Sequence, residues 1–219
     1  MAGLLTGIAH AGGGGNVTVP HKRRAAELVD RKTDAVERTG ACNTFWLDAG
    51  EVWGDNTDVL GFSAAVHALM GSPAGTRVLL LGAGGAARAA LFSLLQEHVD
   101  SVVLLNRTSD KADDLRRTFA SPRGKVRVVK EPASLRREGF DLVVNATSLG
   151  LHSDDAPPIA LGSLHRVGAA LDMVYAPGGT AWTREAKRLE IPASDGTEML
   201  LRQAGSGKPF PSGWCGAQR

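Results

Sequence analysis

The sequence predicts an α/β fold: a doubly wound parallel sheet of Rossmann type preceded by a smaller, incomplete α/β unit. Three observations predict it. The run Val78-Leu79-Leu80-Leu81 is apolar throughout, the pattern of a strand buried on both faces. It opens directly into the glycine-rich turn Gly82-Ala83-Gly84-Gly85 and then an apolar helical segment. Further apolar runs then alternate with helical ones, as in a parallel sheet covered on both sides.

Taken in order, residues 1–15 end in Gly12 to Gly15 and are predicted to be loop, because consecutive glycines hold neither helix nor strand well. Asn16 to Val19 is a short β-prone run stopped by Pro20. His21 to Val29 reads as a helix with Ala25, Ala26, Leu28 and Val29 on its apolar side. Phe45-Trp46-Leu47 and Glu51-Val52-Trp53 flank Asp48-Ala49-Gly50 and read as a hairpin. Asp58 to Met70 places Leu60, Ala64, Val66 and Leu69 at helical spacing, and residues 71–75 read as a linker. Beyond it the expected order is strand 78–81, helix 86–96, strand 101–105, helix 111–119, strands 125–129, 140–144 and 169–173, helix 180–189 and strand 191–193. The division falls at 1–72, 73–195 and a closing segment 196–219.

Composition excludes more than it selects. Hydrophobic residues are 43% and charged residues 22%, ordinary for a soluble globular chain. With 25 basic and 23 acidic residues the net charge of +2 gives no ground for a nucleic-acid or anionic-membrane partner. Cys42 and Cys215 lack metal-ligand spacing and read as free thiols in a reducing cytoplasm. The opening Met1-Ala2-Gly3-Leu4-Leu5 lacks the pattern of a secretory signal, and no run is long enough to span a bilayer. The expectation is a soluble cytoplasmic protein without a metal site.

The turn carries the first chemistry. Gly82-Ala83-Gly84-Gly85-Ala86-Ala87 fits the G-x-G-x-x-G/A pattern between a strand and a helix. Gly82 allows the tight turn, Gly84 lets a pyrophosphate approach the backbone, and the helix N-terminus offers free N–H groups to phosphate. About 20 residues on, an NAD site usually carries an acid for the ribose hydroxyls. Here Asn106-Arg107-Thr108 closes the second strand instead. A guanidinium with a hydroxyl beside it suits the 2′-phosphate of NADP, with a solvated surface arginine as the other reading.

The first unit holds a second set of polar residues. Reduction of a carbonyl by hydride needs a proton donor for the forming alkoxide, and a lysine positioned by a carboxylate can serve. Lys22 and Asp58 are the candidates, and Thr18 and Asn43 have the groups to bind a polyhydroxylated substrate. Spacing alone leaves open that Lys22 is a solvated surface residue and Asp58 the N-cap of the helix after it.

The segments Asn16-Val17-Thr18-Val19-Pro20-His21-Lys22, Gly40-Ala41-Cys42-Asn43-Thr44 and Asn56-Thr57-Asp58-Val59-Leu60-Gly61-Phe62 resemble hallmarks of the shikimate dehydrogenases. So do Gly82 to Ala89, Asn106-Arg107-Thr108, Asn145 to Gly150, Asp172 to Pro177, and Asp195-Gly196 through Met199-Leu200 to Gln203-Ala204, in that order. The resemblance implies NADPH-dependent reduction of 3-dehydroshikimate to shikimate, a step of aromatic amino acid and chorismate biosynthesis, by a monomer or homodimer. It implies Lys22 and Asp58 as the catalytic pair, with Thr18, Asn43, Tyr175 and Gln203 on the substrate. It puts Gly82 to Ala86 and Asn106, Arg107 and Thr108 on NADP, with Ala146, Met173 and Gly196 beside the nicotinamide. It also implies a shortened substrate domain over 1–72, since family members begin with a strand and a loop of two carboxylate-binding serines. The glycines and prolines of 205–213 interrupt the helix that the family continues there. Two alternatives stand beside the main reading: a catalytically impaired NADP-binding fragment, and a dehydrogenase acting on quinate or an analogue.

Overall fold

The computed structural model describes residues 2–18, 20–119, 125–152 and 154–205, apart from the side chains at 2 and 202–205. Val19, Cys215, the side chain of Gln203 and the tail 206–219 therefore lie outside the described part.

The first unit is a four-stranded sheet with helices on it. Helix α1 (Ala2–His10) leads into β1 (Gly14–Asn16), α2 (Lys22–Leu28), β2 (Arg31–Lys32) and α3 (Asp34–Thr39), followed by β3 (Thr44–Asp48) and β4 (Glu51–Asp55). The sheet order is β1-β3-β4-β2, with β2 parallel to β4 and the other pairs antiparallel. The expected hairpin is present: Asp48 pairs with Glu51 across a turn in which Ala49 and Gly50 take φ of 49° and 82°. Two left-handed residues give the turn whose twist matches that of the strands.

Two readings of this region are corrected. Residues 2–10 form a helix rather than loop, because Leu5 and Ala9 bury against Ala25, Ala26, Val29 and Phe45. Gly14 and Gly15 form a strand, because an edge ladder to β3 supplies what glycine propensity lacks. A Cβ on Gly15 would lie 3.1 Å from the Phe45 ring, so the bare backbone also seats that ring. Sequence periodicity missed β2 and α3, which are short elements of 2 and 6 residues.

Helix α4 (Asp58–Met70) joins this unit to the second. Of its predicted apolar stripe, Val66 is buried and Ala64 and Leu69 are half-buried, but Leu60 is 58% exposed, and Phe62 and Ala65 are buried instead. The helix packs on several neighbours at once, so its buried face is wider than a single stripe.

The second unit follows the predicted alternation, with boundaries moved by one to three residues. It comprises β5 (Arg77–Leu81), α5 (Gly85–Gln96), β6 (Ser101–Leu105), α6 (Ser109–Thr118), β7 (Val126–Val129), β8 (Gly139–Asn145), β9 (Arg166–Asp172), α7 (Ala181–Arg188), β10 (Ala193–Ser194) and α8 (Thr197–Gly205). The sheet order is β10-β9-β8-β5-β6-β7, with every pair parallel. Side chains leave a strand alternately, and β5 shows it: Val78 and Leu80 enter the core under α4 and α5, while Leu79 and Leu81 enter the core holding Phe140 and Trp182. Order reverses between β5 and β8, so the crevice at their C-terminal ends is the topological switch point where open α/β sheets bind ligands. Helix α8 packs on α4, with Met199 in the core that contains Phe62. Among the described residues no helix is long and apolar enough to cross a membrane.

Phe62 is completely buried where α4 meets the core of the second unit. Phe62→Ala is expected to lower stability by about 3–5 kcal/mol, read as the shift in urea midpoint at unchanged slope. A loss below about 1 kcal/mol would show that α4 is only loosely docked.

Candidate active site

The glycine turn sits at the switch point. Gly82 has φ of +112°, and a Cβ there would lie 2.8 Å from the Ala146 carbonyl oxygen. Only glycine satisfies both conditions. Its N–H donates to Leu105 O at 2.9 Å, and Ala146 N donates to Leu81 O at 2.9 Å, tying the turn to both neighbouring strands. Gly84, the N-cap of α5, faces open space, with nothing within 4 Å of a Cβ placed there. Ala87 is completely buried beneath the helix, while Ala83 and Ala86 are half-buried at the turn.

Asn106, Arg107 and Thr108 follow β6, and Arg107 and Thr108 are exposed. Asn106 Nδ2 donates to Thr108 O at 2.7 Å, which shapes the loop. Thr108 is the N-cap of α6, and exposed Lys111 stands in the first turn of that helix. Lys111 was not singled out from the sequence. The signal that finds it is the basic residue four positions after Arg107, with the helix start between them.

Lys22, Asn43 and Asp58 come together. Lys22 opens α2 and Asp58 opens α4, so each is fixed by a helix start. Lys22 Nζ donates to Asp58 Oδ2 at 2.5 Å, and the two side chains are 15% and 5% exposed. Asn43 Nδ2 donates to Asp58 Oδ1 at 2.8 Å. The Asn43 carbonyl oxygen Oδ1 accepts from Thr57 N at 2.9 Å, which fixes the amide orientation and satisfies the helix start. Asp58 is the first helical residue rather than the N-cap, which is Thr57. Its carboxylate accepts from the Lys22 ammonium and the Asn43 amide. Behind it, buried Asn56 donates through Nδ2 to Thr39 Oγ1 at 3.0 Å and accepts from Asp58 N at 3.3 Å.

The lysine also reaches the glycine turn. A Cβ on Gly85 would lie 3.5 Å from Lys22 Cδ, so the lysine stem lies along the start of α5. The lysine–aspartate pair thus lies next to the glycine turn.

Thr18 and Tyr175 are not part of this hydrogen-bonded group. Thr18 is exposed in the turn before α2, where its carbonyl accepts from His21 N at 2.9 Å. Tyr175 is 56% exposed on the loop after β9. Met173 and Gly196 meet on the same edge of the sheet: Gly196 N donates to Val174 O at 3.0 Å, and a Cβ on Gly196 would lie 2.6 Å from Met173 O. Cys42 is a free, buried thiol whose pKa burial pushes up to about 11, so it is no nucleophile at neutral pH. Asn145 and Asp172 open two of the family-like segments but had no role assigned from the sequence; they close two apolar strands side by side and share a hydrogen bond of 2.8 Å.

Sheet order and glycine turn together define a dinucleotide-fold protein, with a shielded lysine–carboxylate pair beside the turn. Comparison with known proteins narrows the class. Residues 4–45 match the shikimate dehydrogenase substrate binding domain, and residues 65–151 match shikimate / quinate 5-dehydrogenase. The shikimate dehydrogenase (NADP(+)) of Nitrosospira multiformis is 40% identical over 195 residues, which cover 88% of this chain and 70% of that protein. The crystal structure of Thermus thermophilus shikimate 5-dehydrogenase in complex with NADP(H) and shikimate superposes with a TM-score of 0.79 at 36% identity, covering 93% of this chain and 74% of the other. Corynebacterium glutamicum quinate dehydrogenase in complex with NAD superposes with a TM-score of 0.81 at 28% identity, again covering 93% and 74%. The chain belongs to the shikimate dehydrogenase family.

The two glycines separate structure from binding. Gly82→Ala is expected to cost more than about 1 kcal/mol of stability, because it meets both strain and a backbone clash. Gly84→Ala, with open space and an ordinary φ of −83°, is expected to stay close to wild type in thermal midpoint. Equal loss in both would contradict this division.

Proposed function

We propose that the chain catalyses the reversible NADPH-dependent reduction of 3-dehydroshikimate to shikimate, as a cytoplasmic enzyme acting as monomer or homodimer. The observation that carries the reading is the Lys22–Asp58 pair at 2.5 Å, nearly shielded from water and lying along the start of α5.

The residues present fit NADP. The open space at Gly84 admits a pyrophosphate against the backbone. The N–H groups of Gly85, Ala86 and Ala87 precede the first intrahelical bond, from Arg88 N to Gly84 O, and are free for phosphate oxygens. No acid stands at 106–108 to hold ribose hydroxyls, and exposed Arg107, Thr108 and Lys111 suit a 2′-phosphate. Bound there, NADPH supplies the hydride for the ketone carbon.

The chain's own residues do the rest. The Lys22 ammonium gives a proton to the oxygen that becomes the hydroxyl, and takes it back in the oxidative direction. Asp58 aims that ammonium and keeps it charged until the proton moves. Asn43 fixes one carboxylate oxygen, leaving the other to Lys22. Thr18, Asn43, Tyr175 and Gln203 are assigned to substrate hydroxyls, and Ala146, Met173 and Gly196 to the nicotinamide side.

A second reading, oxidation of quinate, is favoured by the quinate dehydrogenase among the structural neighbours. One assay separates the two. Purified protein is given shikimate or quinate with NADP⁺ or NAD⁺, and reduced cofactor is followed by absorbance. Saturable turnover with shikimate and NADP⁺ is expected. Arg107→Ala is expected to weaken NADP⁺ by about 10- to 100-fold, the loss of one charge-assisted contact, with little change for NAD⁺. Turnover of quinate alone, or preference for NAD⁺, would overturn the assignment.

A further inference from the structure

The Lys22–Asp58 pair leaves one buried carboxylate without a role. Asp172, at the end of β9, is completely buried and stands in register with Asn145 at the end of β8. Three donors hold it. Asn145 Nδ2 and Val174 N give to Oδ1 at 2.8 and 3.0 Å, and Thr180 Oγ1 gives to Oδ2 at 2.7 Å. Burial pushes its pKa up, with Asp195 on the next strand end adding to the effect. An acid kept in such surroundings for packing alone would be a poor choice, since an apolar residue avoids the desolvation.

What the carboxylate holds suggests its use. Asn145 extends the network into the loop after β8: it donates to Leu149 O at 3.0 Å and accepts from Thr147 N and Oγ1 at 3.0 and 2.7 Å. Through Val174 N, Asp172 fixes the loop after β9, whose Met173 carbonyl packs on Gly196. Through Thr180, which caps α7 by accepting from Thr183 N, it anchors the far end of the same loop. Both loops leave the C-terminal edge of the sheet at neighbouring strands. They carry Ala146, Met173 and Tyr175, the residues assigned above to the nicotinamide and the substrate.

We propose that Asp172 is a positioning residue for hydride transfer: joined to Asn145 and Thr180, it sets the two loops that place the reacting face of the nicotinamide. This rests on the cofactor reading given above. The role is geometric, so a group of the same shape and bonding can replace the carboxylate. An asparagine can accept from Asn145 and Val174 through its oxygen and donate to Thr180 Oγ1 through its amide.

The test compares wild type, Asp172→Ala and Asp172→Asn, with cofactor affinity measured by NADPH fluorescence and steady-state rates normalised to folded protein. Asp172→Ala is expected to lose about 100-fold in kcat/KM for NADP⁺, with KM for shikimate changed far less. Asp172→Asn is expected to recover most of that loss. Wild-type kinetics in folded Asp172→Ala would overturn the proposal, and so would Asp172→Asn as impaired as the alanine variant, which would make the charge the active element. If Asp172→Ala does not fold, Thr180→Val and Thr180→Ser take its place. Loss in the valine variant with recovery in the serine supports the role, and equal kinetics overturns it. Absence of NADP-linked turnover in the wild type would instead sink the underlying assignment of function, which keeps the two failures distinct.

Discussion

A lysine ammonium and an aspartate carboxylate lie 2.5 Å apart at the junction of two sheets, nearly out of water, and the rest of the site is arranged around them. Such a pair is not self-supporting. Freezing a lysine side chain costs about 1.5–2 kcal/mol, and desolvating both charges costs more, repaid only if the geometry is held and the remaining lone pairs are used. The fold meets both conditions. Two helix starts fix the backbones, and Asn43 occupies the second carboxylate oxygen. Removing Asn43 or either charge leaves a buried charge incompletely matched.

The second constraint is topological. A parallel sheet whose order reverses between β5 and β8 opens a crevice at its C-terminal edge, and the glycine turn occupies it. Gly82 lies so near the Ala146 carbonyl that any side chain would force the two strand ends apart. The loops after β8 and β9 leave the same edge and are tied to each other through Asn145 and Asp172. Because α4 begins at Asp58 and also packs on α5, the carboxylate that holds Lys22 and the helix after the glycine turn are joined through one element.

The nucleotide-side unit was legible because its strands are buried on both faces, so Val78 to Leu81 and Ser101 to Leu105 stand out as unbroken apolar runs. The first unit was less so. Gly14 and Gly15 carry no strand signal of their own and are held by pairing with Phe45 and Trp46. The face of α4 was misread at Leu60 because that helix is covered on more than one side. Lys22 and Asp58 were visible as candidates, yet spacing alone gave no reason for an aspartate at a helix start to turn toward a lysine 36 residues away. Asn43 was visible as a substrate-binding candidate, and only the structure shows how its amide occupies one carboxylate oxygen of Asp58. Asn145 and Asp172 stood in family-like segments without a role of their own, because their hydrogen bond joins two strands, which no local pattern records.

The most direct measurement takes Lys22→Ala through cofactor binding and turnover on the same preparation. If Lys22 is the proton donor and the glycine turn binds NADP independently, NADP⁺ affinity stays near wild type while kcat for shikimate oxidation falls by about 100- to 10,000-fold. A folded variant that keeps its kcat within a few-fold of wild type, or that loses cofactor affinity in step with turnover, would contradict the assignment of Lys22 and with it the role of the pair.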